Sequence, residues 1–100
     1  MADNTYFKLE NFELLLGDSF KILPTLEPES FDMIFADPPY FLGKAEWDKS
    51  RGLDLDLDFH LSWLKECKRL LKPNGTIWVS GTYHSIYQCG FALQKLGFHI

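Results

Sequence analysis

The chain has 100 residues, 46% of them hydrophobic and 24% charged, with ten basic against fourteen acidic side chains and a net charge of −4. That length holds one hydrophobic core rather than two, and so much apolar material excludes an intrinsically disordered segment. The acidic balance excludes a polycationic nucleic-acid clamp, so any contact with DNA or RNA is local or made by other parts.

Phe12-Glu13-Leu14-Leu15-Leu16 is a short apolar run stopped by Gly17-Asp18, the pattern of a buried strand ending in a turn. A short helix is expected from Ser19 to about Leu26, with Phe20, Ile22 and Leu23 on one face and Pro24 limiting its regularity. Glu27-Pro28-Glu29-Ser30 is the connection to the next apolar run, Phe31-Asp32-Met33-Ile34-Phe35-Ala36, again of strand length. That strand must stop at Asp37-Pro38-Pro39-Tyr40. Adjacent prolines supply no ladder donors and press the preceding residue into extended geometry, so the loop leaves stiffly.

From Phe41 to about Asp58 the sequence is polar and irregular, a long surface loop of the kind that carries function. Asp58 is the expected N-cap of a helix whose apolar positions Leu61, Leu64, Cys67 and Leu71 recur in helical steps. Lys65, Lys68, Arg69 and Lys72 crowd its last turns, where cations favour the dipole, and Pro73-Asn74-Gly75 ends it. Thr76-Ile77-Trp78-Val79-Ser80 reads as a strand and Gly81-Thr82 as a turn with a cap. Ile86, Gly90, Leu93 and Leu96 mark a further helix closed by Gly97, after which Phe98-His99-Ile100 begins another strand. The alternation predicts an α/β fold, a Rossmann-like, doubly wound and mainly parallel sheet with right-handed crossovers. Ligands in such sheets bind outside the carboxyl ends of the strands. Asp18, Asp37 and Ser80 each stand at or just after such an end and are expected to face one crevice.

Asp37-Pro38-Pro39-Tyr40 places a carboxylate, a rigid carbonyl and an aromatic ring together at a strand exit. An exocyclic amine on a base is a poor nucleophile, because its lone pair is delocalised into the ring and the nitrogen must become tetrahedral to attack. The Asp37 carboxylate and the Pro38 carbonyl can accept its two hydrogens, Pro39 stiffens the turn, and the Tyr40 ring offers a face for a planar base. The plainer alternative is a Pro-Pro strand end with Asp37 capping a local turn.

These residues resemble the S-adenosylmethionine-dependent DNA amino-methyltransferases, especially the adenine-N6 enzymes of restriction-modification systems. The resemblance covers nearly the whole chain, through Leu16-Gly17-Asp18-Ser19, the run from Phe31 to Tyr40, Glu46-Trp47-Asp48-Lys49, Leu71-Lys72-Pro73-Asn74-Gly75-Thr76 and Trp78-Val79-Ser80-Gly81. It implies that Asp37, Pro38, Pro39 and Tyr40 form the catalytic loop. An initial Asp is typical of adenine enzymes and an initial Ser of cytosine-N4 enzymes, so Asp37 favours adenine. Cytosine-N4 transfer, or amine methylation on RNA or a protein glutamine, are the neighbouring alternatives. The motif order resembles the beta class, in which the target-recognition region and the glycine-rich cofactor loop come later. No two of the seven glycines here are separated by a single residue, so that loop is absent from this chain. The expectation is therefore the N-terminal part of an enzyme, inactive by itself, its fold completed by further chain or a second chain, with a homodimer as a separate expectation. A non-catalytic truncated or split subunit is the other reading. The resemblance also implies that Asp18 meets the adenine of S-adenosylmethionine, with Asp37 close to the cofactor; on spacing alone Asp18 serves equally well as an N-cap.

Lys44, Trp47 and Lys49, with Arg51, are candidates to face double-stranded DNA, the lysines on phosphates and Trp47 beside an extruded base. A solvated loop with one anchoring tryptophan is the alternative. Asp54, Asp56 and Asp58 are spaced like the start of a calcium loop, but Phe59 takes the glycine position and Lys65 the final glutamate, so calcium is rejected. His60, His84 and His99 lack metal-ligand spacing, His60 is expected at the surface with Cys67 buried, and Trp63, Trp78 and Phe91 are assigned to the core. Two cysteines, Cys67 and Cys89, are too few for a disulfide framework and read as free thiols of a reducing cytoplasm. Met1-Ala2-Asp3-Asn4 has no leader pattern and no apolar run reaches the ~18 residues of a membrane span, so neither export nor membrane insertion is expected.

Overall fold

Two strand pairings organise residues 4–100, the part described by a computed structural model; Met1-Ala2-Asp3 lies outside it. The first is an antiparallel hairpin of β1 (Thr5–Leu9) and β2 (Phe12–Leu15), in register Lys8↔Glu13 and Leu9↔Phe12 around the turn Glu10-Asn11. The run from Phe12 is thus a strand, but not a buried one. It pairs with β1 instead of joining the parallel pair, and Phe12, Leu14 and Leu16 stay exposed.

Asp18 caps α1 (Ser19–Ile22), its Oδ1 accepting the Phe20 N–H at 2.9 Å. Pro24 cannot donate within a continuing α-helix, and the chain tightens into a 3-10 turn over Leu23–Thr25. Arg69 reinforces this turn, its guanidinium donating to Leu23 O at 2.8 Å and Leu26 O at 3.0 Å.

β3 (Phe31–Ala36) and β4 (Leu71–Val79) form the second pairing, parallel, joined by the crossover helix α2 (Leu53–Leu70). α2 starts five residues before Asp58, at an N-cap Gly52 with φ 99° and no side-chain capping bond. Asp56 satisfies the entry instead, accepting Ser50 Oγ at 2.6 Å and the Arg51 N–H at 2.9 Å. The helix also ends earlier than expected, so Leu71 belongs to β4. Between Phe31↔Leu71 and Met33↔Thr76 the register shifts, and Pro73-Asn74-Gly75 forms the surplus of β4 rather than a helix stop.

Ile34, Ala36, Ile77 and Val79 point to α2 and α3 (Ile86–Lys95), packing on a core of Trp63, Leu64, Cys67 and Ala92. The alternate positions Phe31, Met33, Phe35 and Trp78 line the other face and are exposed. Trp78 and Phe91 are therefore not core residues, whereas Trp63 is. α3 closes in a Schellman arrangement, Phe98 N–H to Leu93 O at 2.9 Å and Gly97 N–H to Gln94 O at 3.0 Å, with Gly97 at φ 91°. The Phe98 donor is spent in that cap, and Phe98-His99-Ile100 forms no strand among the described residues. The described part is thus a mixed α/β unit containing one parallel strand pair.

Candidate active site

Parallel pairing brings the ends of β3 and β4 side by side, with Ala36 opposite Val79 and the Ser80 N–H on Ala36 O at 3.0 Å. Asp37 and Ser80 leave the sheet as neighbours, and Ser80 Oγ donates to Asp37 Oδ1 at 2.7 Å. Pro38-Pro39 turns the chain back so that the Tyr40 hydroxyl reaches both, 2.8 Å from Asp37 Oδ1 and 2.8 Å from Ser80 Oγ. The Ser80 and Tyr40 hydrogen bonds, in that order, hold the Asp37 carboxyl below its usual range, outweighing the small opposing effect of desolvation. An ionised carboxylate results, with Oδ1 committed to the two hydroxyls and Oδ2 unbonded among the described residues.

A cleft of about 320 Å³ opens beside Asp37, Pro38 and Pro39, walled by Phe20, Phe35 and Phe59. Its volume is at the lower end of the ~300–1,000 Å³ of small-molecule sites, and its apolar aromatic wall with one carboxylate suits a planar heterocycle. A larger depression of about 860 Å³ lies at the far end of β4, around Lys72, Pro73 and Gly75, away from Asp37. Of the three residues expected to share a crevice, Asp37 and Ser80 touch; Asp18 is engaged in capping, and its neighbour Ser19 lines the cleft.

Lys44, Trp47 and Lys49 belong to the segment around a 3-10 turn at Glu46–Asp48. Trp47 is 71% exposed. Lys49 Nζ lies 2.9 Å from Glu46 Oε2, a surface pair of little energetic weight. Sequence reasoning assigns Asp48 no role of its own, beyond its place in Glu46-Trp47-Asp48-Lys49. Its carboxylate is buried and accepts backbone N–H groups from Tyr40, Phe41, Leu42 and Lys44. An inventory of the donors in the irregular stretch after Pro39 would have demanded such an acceptor.

His60, expected at the surface, is fully buried. On α2 it faces the α3 packing surface, where its Nδ1 accepts the Trp63 Nε1–H at 3.1 Å and lies 3.6 Å from Cys89 Sγ. Burial pushes the imidazole down, against the pull of Asp56, and pushes the Cys67 and Cys89 thiols up to about 11. Neither thiol is a nucleophile at neutral pH. Among the described residues no three His, Cys, Asp or Glu side chains gather to hold a metal, and no helix is long and apolar enough to cross a membrane.

A carboxylate steadied by two hydroxyls thus stands at the mouth of an apolar slot, on the exit of a parallel strand. Residues 31–100 match the N6/N4 DNA methylase family, and the chain belongs to that family. It is 46% identical over 110 aligned positions to the type II methyltransferase M2.LlaDCHI of Lactococcus lactis subsp. cremoris, covering 95% of this chain and 41% of that protein. With M2.DpnII of Streptococcus pneumoniae it shares 41% identity over 110 positions, at the same 95% and 41% coverage. M.HinfI of Haemophilus influenzae is 43% identical over 103 positions, 87% of this chain and 29% of that protein. The chain thus spans 41% of the length of each of the first two curated relatives.

Proposed function

We propose that the chain is the N-terminal part of the catalytic domain of a beta-class restriction-modification methyltransferase. The complete enzyme transfers a methyl group from S-adenosylmethionine to the N6 amino group of an adenine in a specific double-stranded DNA sequence. The observation that carries this reading is Asp37 with Oδ1 fixed by Ser80 and Tyr40 and Oδ2 free beside an aromatic-walled cleft. Asp37 Oδ2 accepts one amino hydrogen and the Pro38 carbonyl the other, which favours the tetrahedral nitrogen needed for attack. Because its pKa is held low, Asp37 works as an acceptor that polarises the amine and not as a store for its proton, which passes to solvent. The Tyr40 ring supports the extruded base while its hydroxyl steadies Asp37.

The cofactor suits this half of a site: the apolar wall of Phe20, Phe35 and Phe59 accommodates an adenosine or a target base, Asp37 lines the cleft, and Asp18 directly precedes the lining residue Ser19, so that both carboxylates would accept hydrogen bonds from amino groups. Bound there, S-adenosylmethionine supplies an electrophilic methyl group on a sulfonium. Asp18 would turn its second oxygen to the cofactor while Oδ1 caps α1. Lys44 and Lys49 would meet phosphates and Trp47 the disturbed stack, with Lys49 exchanging Glu46 for DNA. A parallel pair with Phe31, Met33, Phe35 and Trp78 bare on one face supports a doubly wound sheet completed by further chain, since parallel sheets are covered on both sides. The cytoplasm, where DNA and reduced thiols coexist, is the matching compartment.

The test is to incubate the full-length protein with methyl-labelled S-adenosylmethionine and DNA and identify the modified base. Label in N6-methyladenine is expected and should vanish with Asp37→Ala. Label in N4-methylcytosine, or none, would refute the adenine assignment.

A further inference from the structure

The backbone leaving Tyr40 enters neither ladder nor helix, yet its donors converge on one point. Asp48 is only 5% exposed. Its Oδ1 accepts the N–H of Tyr40 at 3.0 Å and of Phe41 at 2.9 Å, and its Oδ2 those of Leu42 at 3.1 Å and Lys44 at 3.5 Å. The Gly43 N–H closes the loop on the Asp48 carbonyl at 2.9 Å. Near-successive N–H groups aimed at one spot form an anion-binding nest. Here the bound anion is the chain's own side chain. Burial opposes ionisation of this carboxyl, but the N–H groups of Phe41, Leu42, Lys44 and Tyr40 together reverse the effect and keep it low.

Phe41, inside the nest, sits at φ 60°, a strained conformation for a residue with a Cβ, sustained only where the surroundings enforce it. Two things enforce it: the N–H bond to Asp48, and a ring set edge-to-face against Phe59 at 5.8 Å and His60 at 5.3 Å. The other end of the anchored stretch is Tyr40, whose hydroxyl holds Asp37.

We propose that Asp48 is a positioning residue of the methyl-transfer site, its carboxylate fixing the backbone from Tyr40 to Lys44 and thereby setting the Tyr40 phenol against Asp37. The proposal rests on the functional reading above. Both oxygens and the negative charge are required: asparagine offers one acceptor and turns amide hydrogens toward N–H donors, and alanine empties the nest. A small carboxylate from solution can refill the emptied nest.

The experiment uses the full-length protein and compares Asp48→Asn and Asp48→Ala with the wild type. It measures hydrogen exchange at the Tyr40, Phe41 and Leu42 amides, calorimetric affinity for S-adenosylmethionine, fluorescence of 2-aminopurine at the target position, and methyl transfer. Exchange should quicken about tenfold or more, and kcat should fall about 10- to 100-fold with 2-aminopurine engagement. Cofactor affinity should stay within about threefold, since no hydrogen bond of Asp48 reaches the cleft wall. Formate should restore part of the rate in Asp48→Ala and none in Asp48→Asn. Unchanged amide exchange, or unchanged kcat, in Asp48→Asn would overturn the proposal; so would a proportional loss of kcat and cofactor affinity, which marks damage to the whole fold. A wild type that transfers no methyl group while these amides are protected would overturn the functional reading and leave the anchoring standing.

Discussion

Ser80 Oγ donates to Asp37 Oδ1 at 2.7 Å although 43 residues separate them. The contact follows from register: Ala36 pairs with Val79, and the next residue of each strand is released at the same height. Two chain segments joined by an 18-residue helix therefore build one polar site without either having to leave its strand direction.

Ser80→Ala should weaken this site in a way that pH reveals. The Ser80 hydrogen bond is the largest cause lowering the Asp37 pKa, so its loss lets that pKa rise toward 3.8. A lowered carboxyl pKa favours the ionised acceptor above it, and raising it moves the acid limb of kcat/KM to higher pH. Methylation by the full-length protein, followed from acidic to neutral pH, should show that displacement together with a loss of about tenfold at neutral pH, as for other positioned donors. An unshifted acid limb would mean that Asp37 does not govern the profile.

Tyr40 has two separable parts, and two substitutions separate them. Tyr40→Phe removes the hydroxyl that reaches Asp37 and Ser80 but keeps the ring. Tyr40→Ala removes both. Methyl transfer should fall about tenfold in the first and about a hundredfold in the second. Only the second should lose 2-aminopurine fluorescence on binding DNA, because engagement of the base uses the ring.

What sequence could and could not reveal divides along a physical line. The strand Phe31–Ala36 and its abrupt end were legible, because prolines act through local sterics that no tertiary context reverses. The core side of α2 was legible in Leu64 and Cys67, but its start was hidden: Leu53 to Asp58 alternates apolar and acidic, a strand-like period in a helical turn. β1 escaped because an exposed hairpin leaves no burial pattern to read. Asp48 escaped for a different reason. Its role is to answer backbone donors that converge only once the loop has folded, so no side-chain motif announces it.

Arg69 provides a test of how the segment before β3 is held. Its guanidinium spans Leu23 O, Leu26 O and the Glu66 carboxylate, closing the 3-10 turn that follows α1 against α2. Lysine keeps the charge but cannot reach three acceptors in a planar fork. Arg69→Lys should cost about 1–3 kcal/mol in urea unfolding of the full-length protein, the range for charge-assisted hydrogen bonds lost at a partly buried site. A midpoint equal to wild type would show that the Arg69 fork does not hold the turn.

His60 makes stability depend on pH in a definite direction. Its folded-state pKa lies below 6.5, because burial, only partly opposed by Asp56, disfavours the imidazolium. Nδ1 is already an acceptor for the Trp63 indole N–H, so a proton there would also break that bond. Well above 6.5 the ring is neutral in both states and contributes no pH dependence. As pH falls through 6.5 the unfolded chain takes up a proton that the folded chain refuses, and stability declines until the lower folded pKa is reached. Urea midpoints of the full-length protein between pH 7.5 and 5.5 should therefore fall, and fall less in His60→Asn, which keeps an acceptor near Trp63 but cannot titrate. Equal declines in the two proteins would place the titrating group elsewhere.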